Sequence, residues 1–260
     1  MYDFPWTAPA LDAVWAWMAE YLRQLGLAAP ALLSRDLSLE ILWRSPELVF
    51  GQTCGYPYRH GLGDLVELIA TPVYAFEGCE GPRHCSFIVV NGNDPRADLA
   101  AFRGARAAIN GRDSNTGMNL FRAALAPLAD GAPFFAEVVV TGAHAASLAA
   151  VAAGSSDIAA IDCVTFGLLA RGRPELVAEV RVLGRTPWSP SLPFIASLAL
   201  PAERRAWVRE ALFAGLREPS LSAAWATLGV VGAEVLEPSA YLRIDELEAE
   251  AAALGYPKLG

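Results

Sequence analysis

The run Asn110-Gly111-Arg112-Asp113-Ser114-Asn115-Thr116-Gly117 sets a hydroxyl, an amide and a second hydroxyl side by side at the predicted start of a helix. Backbone N–H groups at a helix amino terminus lack intrahelical partners and sit at the positive end of the helix dipole, so they attract anions. Ser114, Asn115 and Thr116 add side-chain donors at the same point. A plainer reading of the same letters is a cap, in which Ser114 or Thr116 merely satisfies the first turn. A second junction repeats the pattern. Val138–Val140 run into Thr141-Gly142-Ala143-His144 and then an alanine-rich helix. Thr141 offers a hydroxyl, and His144 a ring whose protonated form a bound dianion would favour; an ordinary surface or capping histidine is the alternative. Asp162 follows a third apolar run, Asp157–Ile161, and either receives a cationic group or caps the next helix. After Glu47–Phe50 comes Gln52-Thr53-Cys54-Gly55-Tyr56, where Thr53 and Tyr56 supply hydroxyl and phenol donors or simply close a tight loop. Ligands of open parallel sheets bind beyond the carboxyl ends of strands. Donors after four predicted strands therefore cluster at one edge, which capping alone explains less readily.

Other chemistries find little support. No Gly-x-Gly-x-x-Gly follows a strand, and no P-loop, His-Glu-x-x-His or Gly-x-Ser-x-Gly is present. The three histidines, His60, His84 and His144, are dispersed, so no triad is fixed, and the chain is not expected to be an enzyme. The four cysteines, Cys54, Cys79, Cys85 and Cys163, form no Cys-x-x-Cys. Cys79 and Cys85 flank His84, but the spacing matches no common zinc motif, so neither metal nor cofactor is expected. A disulfide such as Cys54–Cys79 is open in an oxidising compartment; ordinary thiols are the default.

Elements must position these donors, and composition bounds them. The chain has 260 residues and a formal net charge of −8, which argues against nucleic acid or an anionic membrane as partner. With 54% hydrophobic and 18% charged residues it is a folding chain, not a disordered one. The uncharged stretch Val138–Ser156, His144 apart, is chiefly Ala, Gly, Ser, Thr and Val. It reads as strand, turn and buried helix, not as a membrane span. The opening MYDFPWTAPALD has no basic segment, apolar run or cleavage site, so the sequence as written reads as cytoplasmic; a start further upstream that adds a signal would make it periplasmic.

Apolar spacing predicts an amphipathic helix over Asp12–Leu25 and a short one over Leu37–Trp43. Strands are predicted over Glu47–Phe50, Leu65–Phe76 and Cys85–Val90, with the Gly- and aromatic-rich segment 51–63 as a loop. Then strands (Ala105–Ile109, Glu137–Val140, Asp157–Ile161) alternate with helices (Thr116–Ala129, His144–Ala153, Cys163–Ala170), which implies a parallel sheet covered on both faces. Strands are expected again at Val180–Gly184 and Leu192–Leu198, and the remainder is expected to be helical, over Ala202–Leu216, Ser220–Leu228 and Ile244–Ala253. The α/β middle is thus inserted between two flanks, giving lobe 1 from residues 1–90 plus 188–260 and lobe 2 from residues 91–187. A cleft between such lobes is a common ligand site that closes by hinge motion.

Four stretches carry a resemblance: GQTCGYPY (Gly51–Tyr58), FRGARAAINGRDSNTGMN (Phe102–Asn119), Phe134–Leu169 and Arg173–Ala196. Together they resemble the phosphate/phosphonate-binding proteins of ABC importers, the PhnD-like group of type II periplasmic binding proteins. The resemblance implies an α/β fold of two doubly wound lobes joined by two hinge strands. It implies a monomeric solute-binding protein that closes over phosphate, a phosphonate or a phosphate ester for ABC-type uptake, with an ABC permease as partner. By motif it assigns Ser114, Asn115 and Thr116 to the phosphonate loop, His144 to phosphonate oxygens, and Asp162 to a ligand amine. Thr141 stands at the His144 junction, and Thr53 or Tyr56 stands where the first lobe touches ligand. The family has a hydroxyl where Asn115 stands, and the Pro82–Ser86 segment lacks an expected aromatic contact. Two other functions stay open: a cytoplasmic ligand sensor on the same fold, and an enzyme on a phosphorylated or phosphonate metabolite with Cys54, Cys163 and His144 as candidates.

Overall fold

A computed structural model describes residues 1–260. The chain divides into two units: Met1–Ala75 with Ser191–Pro238 (unit 1), and Phe76–Pro190 with Ser239–Gly260 (unit 2). Unit 1 opens with α1 (Ala8–Gln24), α2 (Leu39–Arg44), β1 (Gly51–Gln52), the short α3 (Gly55–Pro57) and β2 (Val66–Tyr74). Unit 2 follows with β3 (Cys79–Glu80), β4 (Arg83–His84), β5 (Ser86–Asn91), β6 (Arg106–Ile109), α4 (Leu120–Ala129), β7 (Glu137–Val140) and α5 (His144–Ala152). It continues through β8 (Ile158–Asp162), α6 (Cys163–Gly172), α7 (Pro174–Ala178), β9 (Val180–Arg185) and β10 (Ser189–Pro190). The chain then returns to unit 1 for β11 (Phe194–Ser197), α8 (Ala202–Arg217), α9 (Ser222–Leu228) and β12 (Val230–Glu234), and ends in unit 2 with α10 (Leu242–Ala253).

In unit 1 a four-stranded sheet of order β1-β11-β2-β12 is antiparallel throughout. Helix α1 packs on α8 and α9 through the inner face that its spacing predicts: Val14, Trp15, Met18 and Leu22 are buried. It starts at Ala8, ahead of the predicted Asp12, because a proline in the first turn has its φ preset for the helix and lacks only an N–H that would be unpaired there anyway. Three expectations in this unit are corrected. Residues 47–50 are not a strand, since Leu48 N–H donates to the Ser45 carbonyl in a turn and pairing begins only at Gly51. The expected loop is helical from Gly55 to Leu62, through α3 and a π-turn over Tyr58–Leu62. The region after Ala202 is not wholly helical: β12 pairs antiparallel with β2, as suits its paired valines.

In unit 2 the order of the five-stranded sheet is β7-β6-β8-β5-β9. The expected parallel strands are present as β7-β6-β8, while β5 runs antiparallel to both β8 and β9. All five residues of β8 are buried, and α4 sets Leu120, Phe121 and Leu125 into the core. Each of the buried Leu, Ile and Phe side chains contributes about 1.5–3 kcal/mol by leaving water. A second sheet, β10-β4-β3, consists of two-residue antiparallel strands that the sequence pattern does not announce. The division of the chain differs from the expected boundaries at residues 90 and 188. Residues 76–90 lie with unit 2 because β5 pairs with both β8 and β9, and 239–260 do so because α10 packs on α4. No helix is long and apolar enough to cross a membrane.

Candidate functional site

Strands β6, β7 and β8 are parallel neighbours, so their carboxyl ends share one edge of the unit 2 sheet. Three strand-to-helix junctions meet there. After β6 the chain turns through Asn110–Asp113, and Ser114 takes an extended conformation as helix cap, its Oγ accepting from Gly117 N–H at 3.0 Å. The helix then opens with a π-turn over Asn115–Asn119 before it tightens into α4. Such wide turns recur at functional sites. The Asn115 and Thr116 N–H groups belong to the first turn, ahead of the intrahelical ladder.

After β7, Thr141 binds both strands at their ends. Its N–H donates to the Ile109 carbonyl at 2.8 Å, and its Oγ1 lies 3.1 Å from that carbonyl and 2.7 Å from Ser147 Oγ. Helix α5 starts at His144, and the preceding Ala143 offers no capping side chain to this amino terminus. The half-buried His144 places Nε2 2.8 Å from Thr116 Oγ1, which joins the first two junctions directly. This approach requires glycine at 117. A Cβ there would overlap Asn110 Oδ1 and come within 3.0 Å of His144 Cε1. Burial pushes the His144 imidazole below the usual histidine range, although Asp162 and the Ala160 carbonyl pull it upward.

After β8, Asp162 caps α6, with Oδ1 accepting from Thr165 N–H at 2.7 Å. Its Oδ2 lies 3.2 Å from His84 Nδ1, and both side chains are buried from solvent. Burial opposes the Asp162 charge, yet His84, the charge of His144 and the Thr165 N–H outweigh it and hold the carboxyl below its usual range. His84 is the residue that sequence reasoning missed at this edge. It sits on β4, opposite Cys79 of β3 and Ser189 of β10, and its Nε2 is buried without a hydrogen-bond partner. The sequence presented it only as a histidine flanked by Cys79 and Cys85, since two-residue strands leave no alternating pattern.

Asn115 is bound on both sides of its amide. Its Nδ2 donates to Ser189 Oγ at 2.9 Å, and its Oδ1 accepts from Asn119 Nδ2 at 3.1 Å. Asn119 also donates to the Ile244 carbonyl at 3.1 Å and accepts from Arg122 Nη2 at 2.5 Å. Arg122, buried, reaches the Pro257 carbonyl at 2.7 Å and Glu248 at 3.2 Å. The Asn115 amide thus ties the loop to Ser189 and, through Asn119 and Arg122, to α10 and the carboxyl-terminal residues.

The structure brings Ser114, Asn115, Thr116, Thr141, His144 and Asp162 to the three junctions of unit 2. Thr53 and Tyr56 belong to unit 1. Thr53 is buried, its N–H donating to the Pro193 carbonyl at 3.1 Å, and the Tyr56 ring lies 4.1 Å from that of His60. No group of three or more histidine, cysteine or acidic side chains is placed to hold a metal ion.

The family model for the phosphonate periplasmic substrate-binding protein of ABC transporters matches residues 47–241. No curated protein matches in sequence. Among solved structures, a binding-protein component of an ABC phosphonate transporter from Pseudomonas aeruginosa (PA3383) superposes with a TM-score of 0.76 at 16% identity, over 94% of this chain and 82% of that one. XAC2383 from Xanthomonas citri, bound to chloride, gives 0.74 at 16% identity over 98% and 95%. PhnD1 from Prochlorococcus marinus, in complex with methylphosphonate, gives 0.71 at 13% identity over 94% of each chain. At these identities the likeness is one of fold, and the fold is that of the periplasmic binding proteins.

Proposed function

This chain belongs to the phosphonate periplasmic substrate-binding protein family of ABC transporters, and from that premise we propose that it captures a small phosphonate or phosphate dianion at the three-junction edge of unit 2. One observation carries the reading: Thr116 Oγ1 and His144 Nε2 stand 2.8 Å apart where two helices begin. A dianion in this place receives backbone N–H donors from the starts of both helices, a hydroxyl from Thr116 and a proton from His144. Ser114 and Thr141 act by holding the turns. Asp162 acts through His84 and through the α6 cap. Thr53 and Tyr56 stay outside this proposal, which is confined to unit 2.

The family is one of substrate carriers, so the ligand is released unchanged to an ABC permease, and the family's periplasmic setting extends to this chain as part of the proposal. The test is a calorimetric titration with methylphosphonate, phosphate and a phosphate ester, followed by phosphorus NMR of the recovered ligand. Saturable binding with unaltered ligand is expected. A new phosphorus species that accumulates with time would overturn the carrier reading in favour of an enzyme.

A further inference from the structure

We propose that Cys79 and Cys163 form a disulfide when the protein meets a dithiol-oxidising environment. Their sulfurs lie 3.4 Å apart in unit 2. A disulfide needs about 2.05 Å, so the two sulfurs must draw closer by about 1.4 Å. The elements that bring them together are built for close approach. The turn before β3 places Gly78 against the first residue of α6: a Cβ at Gly78 would lie 2.8 Å from Cys163 Cβ and 3.2 Å from its Sγ, and φ there is +84°. Only glycine meets both conditions without strain. Cys163 Sγ donates to the Gly78 carbonyl at 3.1 Å, which aims it at the same turn.

The two thiols differ in the way a stepwise oxidation requires. Cys79 is partly exposed, whereas Cys163 and Cys85 are buried. A small disulfide in solution therefore meets Cys79 first. The Cys79 thiolate attacks one sulfur of the small disulfide, giving a mixed disulfide and releasing one small thiol. Cys163 then loses its proton and attacks the Cys79 sulfur, and a second small thiol leaves. The protein loses two hydrogens, and the small disulfide gains them. Cys163 is buried beside two other thiols, and its own thiol is pushed well above the ordinary range by Cys79 and by burial. The second step is therefore the slow one, which makes the mixed disulfide observable. The bond would lie one residue from Asp162 and directly across the β3–β4 ladder from His84, so it staples both partners of the buried pair.

The experiment treats the native full-length protein with oxidised glutathione, beside a sample held in reductant, and reads intact mass, titratable thiols and a peptide map. The expected result is a mass loss of two hydrogens, a fall from four thiols to about two, and a single Cys79–Cys163 linked peptide. The melting temperature should rise by about 5–10 °C, since the closed loop is long. Cys163→Ser should stop at a stable glutathione adduct on Cys79, while Cys85→Ser should still close the bond. Four persisting thiols, a Cys85-containing link, or a wild-type adduct on Cys79 that never resolves would each overturn the proposal.

Discussion

His144 is where burial and charge disagree, and that disagreement is measurable. Its folded-state pKa lies below the unfolded value of about 6.5. Below that pH the unfolded chain holds the extra proton, so stability falls as pH drops through about 6.5. Asp162, held low, acts with the same sign but only below about pH 4. Melting curves between pH 7.5 and 5.5 should therefore show a falling midpoint in the wild type, and His144→Gln should flatten it. A bound dianion reverses the preference and raises the His144 pKa. Titrations near pH 7 in buffers of different ionisation enthalpy should then show proton uptake in the wild type and none in His144→Gln. At Asp162 the carboxylate already faces His84 and the α6 amino terminus. Methylphosphonate and 2-aminoethylphosphonate should therefore differ by less than about tenfold in affinity, or 1.4 kcal/mol; a larger preference for the amine would place Asp162 at the ligand instead. The strand-to-helix junctions that carry Ser114, Thr116 and His144 were legible because spacing is informative there. His84 was not, because it is brought to Asp162 by pairing between strands too short to carry a pattern.

Among the elements, the π-turn that opens α4 depends on both its glycine and its anchor. Gly117→Ala forces Asn110 and the His144 ring apart and should cost about 1–3 kcal/mol. Binding should weaken in step, as read by urea denaturation and calorimetry on the same variant. Arg122→Met removes a buried cation from a network reaching Asn119, Pro257 and Glu248, and should cost about 3–5 kcal/mol by breaking those contacts. Denaturant midpoints test this, and a loss under about 1 kcal/mol would show that the network holds nothing. The alternating strands and helices from β6 to α6 were legible from periodicity alone, with boundaries within a few residues. What escaped was set by distant partners. β12 is a strand because β2 offers an edge, and β5 joins unit 2 because β8 and β9 flank it. Neither fact has a local signal.

For the whole molecule, carriage of a ligand implies mass-action stabilisation without chemistry. Methylphosphonate at about 100 times its dissociation constant should add about 2.7 kcal/mol, or roughly 5–10 °C in melting temperature. The acidic balance of the chain, −8 overall, makes the anion's local donors decisive, since the net field repels it. Raising salt should therefore weaken binding only modestly, because contacts at close range are little screened. The most direct test of the central claim is calorimetric titration of methylphosphonate into the wild type and His144→Ala. The account predicts one saturable site in the wild type and a loss of about 1.5–3 kcal/mol in the variant, the scale of a charged hydrogen bond. Equal affinity in the two proteins would contradict it.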